Sequence, residues 1–251
     1  MYFPNRESPL VKLSIYKQPN YFLVELLDLP ENRINFQLVS AYNLALDEIE
    51  KINSSIKSTN KSNNGCLVTC SSGKFFSNGL DVKTALGNAS FTEYFNRFLV
   101  RMLTLNLPTI AAIDGHAFAG GCILAFGHDY IVMNNKKGFI CMNEVDINVP
   151  LSQARFMLMR TKIACPRILK QVTLEGKRFT AQQAFDAGFV DVVVDDSSKV
   201  IPEAFELGYR MSKKAIGNGT NFGILKMELN KNSILEMTKT HTTPGTYLSK
   251  L

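Results

Sequence analysis

One stretch of the sequence decides the fold, and it reads Pro108-Thr109-Ile110-Ala111-Ala112-Ile113-Asp114-Gly115-His116-Ala117-Phe118-Ala119-Gly120-Gly121. Its apolar run at residues 109–113 predicts a buried strand, and the small residues after Gly115 lead into an apolar helix that begins at Gly120. The amide of Gly120 falls in the first turn of that helix, where N–H groups lack helical acceptors and the dipole favours negative charge. Such a donor can stabilise an oxyanion, although tight packing alone would also explain the small residues.

A loop of the same kind lies upstream and reads Phe75-Phe76-Ser77-Asn78-Gly79-Leu80-Asp81. It follows a predicted buried strand at residues 66–70 and precedes a predicted helix. Gly79 allows backbone amides to point outward into a cleft. Many strand-to-helix turns contain glycine, so this loop indicates a binding site only in combination with the loop around Gly120.

Strand and helix patterns alternate over the first two thirds of the chain, and helical patterns fill the last third. This order predicts an α/β core at residues 1–195 and a helical C-terminal region at residues 196–251. Thr180 and Gln183 form a capping box that opens a helix at residues 181–187, and Gly188 marks its end. Further predicted strands are residues 11–16, 21–27, 130–133, 139–142 and 189–194, the first two joined by a turn at 18–20 and the next two forming a pair. Further predicted helices are residues 36–52, 90–103 and 201–235, the last broken by the glycines at 217 and 219.

Composition and charge exclude several classes of protein. The 251 residues carry a net charge of +6 that is scattered and forms no continuous basic face, so nucleic-acid binding is a weak alternative. No apolar run is long enough for a membrane span, and the N-terminus lacks a secretory signal. The five cysteines predict buried free thiols, and neither they nor the three histidines show metal-ligand spacing, so no metal site is expected.

The two loops resemble those of the crotonase family, which is also called the enoyl-CoA hydratase/isomerase family. The resemblance covers nearly the whole chain and includes the segment at residues 181–191, Ala-Gln-Gln-Ala-Phe-Asp-Ala-Gly-Phe-Val-Asp. It implies a spiral of β-β-α units and an acyl-coenzyme A substrate. By the family pattern, the amides of Leu80 and Gly120 form an oxyanion hole for a thioester enolate. The residues implied to contact the substrate are Ser77, Asn78, Gly79, Asp81, Phe118 and Ala119.

The acid/base residue decides the reaction. Hydratases of this family carry two glutamates, one of them in a Gly-Gly-Cys-Glu-Leu pattern, where this chain has Ile123. The other matches Glu144, in Met142-Asn143-Glu144-Val145-Asp146-Ile147, a stretch most similar to plant-type peroxisomal Δ3,Δ2-enoyl-CoA isomerases. One carboxylate suits proton shuttling better than addition of water. The resemblance therefore implies isomerisation of 3-enoyl-CoA to trans-2-enoyl-CoA, with Glu144 as the base.

Several alternatives remain open at this point. Asp146 would share the face of Glu144 if the segment were a strand. His116 lies beside the second loop, where a packed or hydrogen-bonded role is expected, and adjacent side chains such as those of His128 and Asp129 seldom face each other. The chain could instead be a hydratase with Asp146 or His116 as its second group, or a non-catalytic acyl-CoA binder.

The last three residues, Ser249, Lys250 and Leu251, read as a peroxisomal import signal at a free C-terminus, preceded by a tail of flexible composition. They predict the peroxisome matrix as location and the import receptor as a partner. The resemblance implies a homotrimer or a dimer of trimers, and it implies no cofactor other than the coenzyme A of the substrate. Asn148 stands where relatives often have glycine, so a different pocket floor is expected there.

Overall fold

The computed structural model of the protein describes residues 1–16, 21–55, 65–85, 87–217 and 219–239. The predicted turn at 18–20, most of the predicted loop before Gly65 and the Ser249-Lys250-Leu251 signal lie outside these ranges. Within them, no helix is both long enough and apolar enough to cross a membrane.

Each segment predicted as a strand or helix contains such an element, and the structure adds three short strands, Tyr2–Phe3, Phe75–Ser77 and His116–Phe118. The strands are β1 Tyr2–Phe3, β2 Val11–Ile15, β3 Tyr21–Leu26, β4 Cys66–Ser71, β5 Phe75–Ser77, β6 Thr109–Ile113, β7 His116–Phe118, β8 Tyr130–Asn134, β9 Ile140–Cys141 and β10 Val192–Val194. The helices are α1 Phe36–Ser55, α2 Val82–Ala85, α3 Ala89–Thr104, α4 Gly120–Phe126, α5 Gln153–Lys162, α6 Pro166–Thr173, α7 Ala181–Asp186, α8 Ser197–Ser212, α9 Thr220–Leu229 and α10 Lys231–Thr238. The capping box of Thr180 and Gln183 is confirmed at the start of α7.

Two sheets organise the α/β part. The larger sheet has the order β1-β2-β3-β4-β6-β8-β10, with antiparallel pairing up to β3 and parallel pairing from β3 onward. The smaller sheet is parallel and has the order β5-β7-β9. Strands β4, β6 and β8 lie in the larger sheet, and the strand that follows each of them along the chain, β5, β7 or β9, lies in the smaller sheet. The chain therefore winds as a spiral of similar layers.

The predicted pairing of residues 130–133 with 139–142 is wrong. β8 pairs with β6 and β10 in the larger sheet, whereas β9 pairs with β7 in the smaller one. The connecting residues 135–139 do not form a hairpin because they carry the chain from one sheet to the other. Hydrophobic runs alone do not distinguish a hairpin from such a corner.

The corners stack on each other with backbone against backbone. A Cβ atom on Gly115 would lie 2.6 Å from the carbonyl oxygen of Lys74, and a Cβ on Gly138 would lie 2.1 Å from the carbonyl oxygen of Gly115. Both distances are shorter than any tolerated carbon–oxygen contact. Glycine at these corners is therefore what lets consecutive layers of the spiral approach.

The larger sheet buries both faces. Its inner face packs with α1, α3 and α4 in the main core, and α8 covers the outer face around Cys66 and Val68. Gly208 allows α8 to approach closely, because a Cβ there would lie 2.4 Å from Cys66 Sγ. The helices α9 and α10 pack on α3 and α5. The division at residue 195 stays a prediction.

We predict that Gly138→Ala destabilises the fold much more than Gly73→Ala does. Both glycines have positive φ, +91° and +87°, but a Cβ on Gly73 meets nothing within 4 Å. The cost of the positive φ is therefore common to both variants, and the steric overlap at Gly138 should lower the free energy of unfolding by about 1–3 kcal/mol more. Urea unfolding of both variants measures the difference, and equal midpoints would contradict the stacked-corner account.

Candidate active site

The first loop runs from the end of β5 to the start of α2, and buried hydrogen bonds fix it. Ser77 Oγ donates to the carbonyl of Asn32 over 2.8 Å and accepts from the amide of Gly79 over 3.2 Å. Arg33 Nη1 donates to the carbonyl of Asn78 over 2.9 Å. Gly79 has φ +87°, a conformation that favours glycine, and the amide of Leu80 follows it.

The second loop runs from β7 into α4. Ala119 has φ 53° and ψ −121°, which is strained for a residue with a side chain. Its amide donates to the carbonyl of Cys141 over 2.9 Å, which ties the loop to the smaller sheet. Gly120 comes next as the first residue of α4. The unusual backbone of Ala119 therefore sets the orientation of the peptide that carries the Gly120 amide.

The two loops touch each other through their backbones. A Cβ on Gly79 would lie 3.1 Å from the nitrogen of Gly120, and a Cβ on Gly120 would lie 3.0 Å from the nitrogen of Leu80. Neither of these two amides donates a hydrogen bond to another described residue. Two unused main-chain donors thus lie side by side.

Glu144 opens a short 3-10 turn at residues 144–147 and does not lie in a strand. The amide of Val149 donates to the carbonyl of Glu144 over 3.0 Å and closes the turn. Asn148 adopts the left-handed conformation with φ 53°. Asparagine tolerates this region better than other residues with side chains, so Asn148 supplies here the backbone geometry that glycine would give.

The Glu144 carboxylate is buried with one oxygen unsatisfied. The residue is 9% exposed, and Oε2 has no hydrogen-bond partner. Burial raises the pKa of Glu144 to about 7, while a hydrogen bond from the backbone and the positive charge of Arg155 act in the opposite direction. A carboxylate of this kind can both accept and return a proton near neutral pH.

A cavity of about 1270 Å³ joins these groups. Leu80, Ala119, Gly120 and Glu144 all line it. Most of the remaining surface is apolar, including Val82, Ile147, Val149, Leu151 and Phe156. The arrangement places a base of near-neutral pKa and two free amides around one largely apolar space.

The six predicted contact residues divide into two groups. Asn78 and Ala119 line the cavity. The other four do not line the cavity. Ser77 and Gly79 are hydrogen-bonded to each other within the first loop. Asp81 accepts from the amide of Lys83 and from Thr84 Oγ1 at the start of α2, and the ring of Phe118 packs against that of His116.

Asp146 does not share the face of Glu144, contrary to the expectation for a strand. In a 3-10 turn, residues two apart point in different directions, and Asp146 is exposed while Glu144 is buried. Ile123 is fully buried in the main core and lies on α4.

The two histidines within the described residues, His116 and His128, have structural partners. His116 Nδ1 accepts from the amide of Phe139 over 3.1 Å, as expected for a packed histidine. His128 and Asp129 do not form a dyad, because the ring of His128 is engaged by the carbonyl of Leu124 and the hydroxyl of Thr69. Asp129 instead pairs with buried Lys226 over 2.8 Å.

The cysteines are free thiols, and four of the five are buried; Cys165 is exposed, contrary to expectation. Among the described residues, no group of three or more His, Cys, Asp or Glu side chains could hold a metal ion.

Sequence reasoning missed five charged residues that line the cavity, Arg33, Arg155, Arg160, Glu236 and Lys239. Arg33 braces the first loop, and Glu236 is paired with Lys239 at the end of α10. Arg155 lies in the first turn of α5, where a cation opposes the helix dipole. That mismatch was the one sign in the sequence that could have drawn attention to it.

Comparison with known proteins finds relatives that are similar over most of the chain. The chain is 33% identical to enoyl-CoA delta isomerase 1, peroxisomal, of Arabidopsis thaliana over 220 residues, covering 86% of this chain and 88% of the relative. It is 31% identical to enoyl-CoA delta isomerase 3 of the same plant over 225 residues, covering 86% and 91%.

A solved structure shares the fold. An enoyl-CoA hydratase from Mycobacterium marinum superposes with a TM-score of 0.78 at 21% identity, covering 91% of this chain and 94% of that one. The sequence pattern of the enoyl-CoA hydratase/isomerase family matches residues 30–243. The chain therefore belongs to the enoyl-CoA hydratase/isomerase family, as its paired loops imply.

Proposed function

We propose that this protein is a Δ3,Δ2-enoyl-CoA isomerase with Glu144 as its single proton carrier. The observation that carries the proposal is the buried carboxylate with a free oxygen in the same cavity as the unused amides of Leu80 and Gly120. The names of the Arabidopsis relatives support isomerisation. The fold by itself does not decide the reaction, because a hydratase shares it.

The reaction needs only a proton shuttle. The ionised Glu144 removes a proton from C2 of a 3-enoyl-CoA, and the electron pair spreads onto the thioester oxygen. The amides of Leu80 and Gly120 donate to that oxygen, and each such donor is worth about 2.7–4 kcal/mol in the transition state. The Glu144 carboxyl then returns the proton to C4, and trans-2-enoyl-CoA leaves.

Among the described residues that line the cavity, no second unpaired carboxylate accompanies Glu144, which supports isomerisation over hydration. Ile123 occupies the position where family hydratases carry their other glutamate, and it cannot transfer a proton. Glu236 also lines the cavity, but its carboxylate is ion-paired with Lys239. Coenzyme A enters as part of the substrate, and the mechanism calls for no further cofactor.

Location and assembly belong to the same proposal. The peroxisomal name of one relative and the C-terminal Ser-Lys-Leu sequence support import into peroxisomes. Assembly as a trimer or a dimer of trimers agrees with the exposed apolar residues Ile224, Leu225 and Leu229 on α9.

Glu144→Gln should lower the isomerisation rate of 3-hexenoyl-CoA by about 10²–10⁴-fold, because the amide cannot carry the proton. Binding of hexanoyl-CoA should remain, since the side chain keeps its shape. Asp146→Asn is the matched control and should leave turnover unchanged, because Asp146 is exposed. Near-normal turnover by Glu144→Gln would refute the single-base mechanism, and water addition to crotonyl-CoA at a comparable rate would point to a hydratase.

The pH dependence of kcat/KM follows from the raised pKa. The base must be ionised to act, so kcat/KM should fall as pH drops below about 7, by about tenfold per pH unit. A series of rates from pH 5 to 9 on 3-hexenoyl-CoA measures this limb. A value of kcat/KM that stays constant down to pH 5 would mean that the base titrates near the ordinary glutamate pKa of 4.5, and hence that Glu144 is not the base or is not desolvated.

A further inference from the structure

Arg155 is a half-buried arginine, and two of its guanidinium nitrogens have no hydrogen-bond partner in the described protein. Its Nε and Nη2 are closed off from solvent and have no hydrogen-bond partner, and no described carboxylate forms an ion pair with it. The guanidinium lies over the ring of Phe95, 5.7 Å from the centroid. Arg155 nevertheless lines the cavity that holds Glu144.

Local structure does not account for an arginine at this position. Arg155 is the third residue of α5, where the helix dipole disfavours a cation. Burial disfavours the charged form and lowers the pKa of Arg155, yet an arginine keeps its proton in proteins. Nη1 is not among the closed-off atoms, so it is the end of the guanidinium that the cavity can reach. A half-buried cation that lacks an ion-pair partner is costly, and its place in a cavity points to a partner that arrives with the substrate.

A plain hydrocarbon chain is a poor partner for this group. An alkyl tail that filled the cavity would displace water from the guanidinium and offer no acceptor in return. A carboxylate would supply acceptors that form charge-assisted hydrogen bonds with arginine. Glu144 does not serve this purpose, because it is not within ion-pairing distance and its Oε2 is itself unpaired.

We propose that Arg155 is a specificity-determining residue that binds a carboxylate carried by the acyl chain. The preferred substrates are then coenzyme A half-thioesters of unsaturated dicarboxylic acids. This inference rests on the proposed function and deepens it. The remote carboxylate takes no part in the chemistry, so the proton still moves from C2 to Glu144 and on to C4.

Binding of saturated thioesters tests the inference without turnover. Isothermal titration calorimetry compares three pairs of equal chain length: succinyl-CoA with butyryl-CoA, adipoyl-CoA with hexanoyl-CoA, and suberoyl-CoA with octanoyl-CoA. For the pair whose length reaches Arg155, the wild type should bind the carboxylated ligand about tenfold or more tightly. Equal or weaker binding of the carboxylated ligand in all three pairs would overturn the proposal.

Three variants assign the preference to Arg155. Arg155→Met keeps the apolar stem of the side chain but removes the guanidinium and should abolish the preference, whereas Arg155→Lys keeps the charge and should retain part of it. Arg167→Met is the control, because it removes an exposed arginine of α6 that does not line the cavity, and it should leave the preference intact. An unchanged preference in Arg155→Met, with its thermal midpoint close to that of the wild type, would also overturn the proposal.

Turnover separates failure of this inference from failure of the proposed function. The ratio of kcat/KM for 3-hexenedioyl-CoA to that for 3-hexenoyl-CoA should fall about tenfold or more in Arg155→Met, if six carbons is the preferred length. Equal losses on both substrates, with the acidic limb moved to higher pH, would mean that Arg155 only tunes Glu144, and would overturn the specificity role. A wild type that turns over neither substrate but binds as expected would refute the isomerase function and leave the carboxylate site standing.

Discussion

The site depends on one backbone contact, where the loop after β5 meets the loop after β7. Gly79 and Gly120 leave no room for side chains between the loops, so main chain touches main chain. The same closeness recurs at the corners, where Gly115 lies against Lys74 and Gly138 lies against Gly115. Each layer of the spiral thereby packs directly on the one before it, and this stacking fixes the positions of the two free amides.

Glu144, the proposed base, is held in a state that costs stability. Burial raises the pKa of Glu144 to about 7, from 4.5 for an ordinary glutamate. The folded state therefore favours the protonated carboxyl, and the stability that this form contributes is lost as the pH rises from about 4.5 to about 7. The difference between the two pKa values means that the folded environment disfavours the ionised carboxylate by roughly 3 kcal/mol. The short turn that begins at Glu144 is closed by the left-handed conformation of Asn148 and by the hydrogen bond from the amide of Val149. The penalty and the reactivity have one origin, which is the apolar cavity around the carboxylate.

Much of the fold was predictable because it follows from short-range patterns. The apolar run at residues 109–113 and the capping box at Thr180 were located to the residue. The pairing of residues 130–133 with 139–142 was predicted wrongly, since a corner between two sheets leaves the same hydrophobic pattern as a hairpin. Glu144 was identified by family resemblance and not by local pattern, which favoured a strand. The unpaired state of Arg155 was not predictable, because it depends on which acidic side chains the fold keeps away from it.

The amides of Leu80 and Gly120 belong to the main chain, and this has a consequence for how such a protein can diverge. A point mutation can delete a side-chain donor, but it cannot delete a peptide N–H unless it introduces proline. In the proposed mechanism, recognition of the carbonyl group is therefore robust to substitution, whereas residues such as Ile123, Glu144 and Arg155 can be exchanged singly. A lineage built on this scaffold can change its reaction, or the far end of its substrate, in small steps while continuing to hold the same functional group.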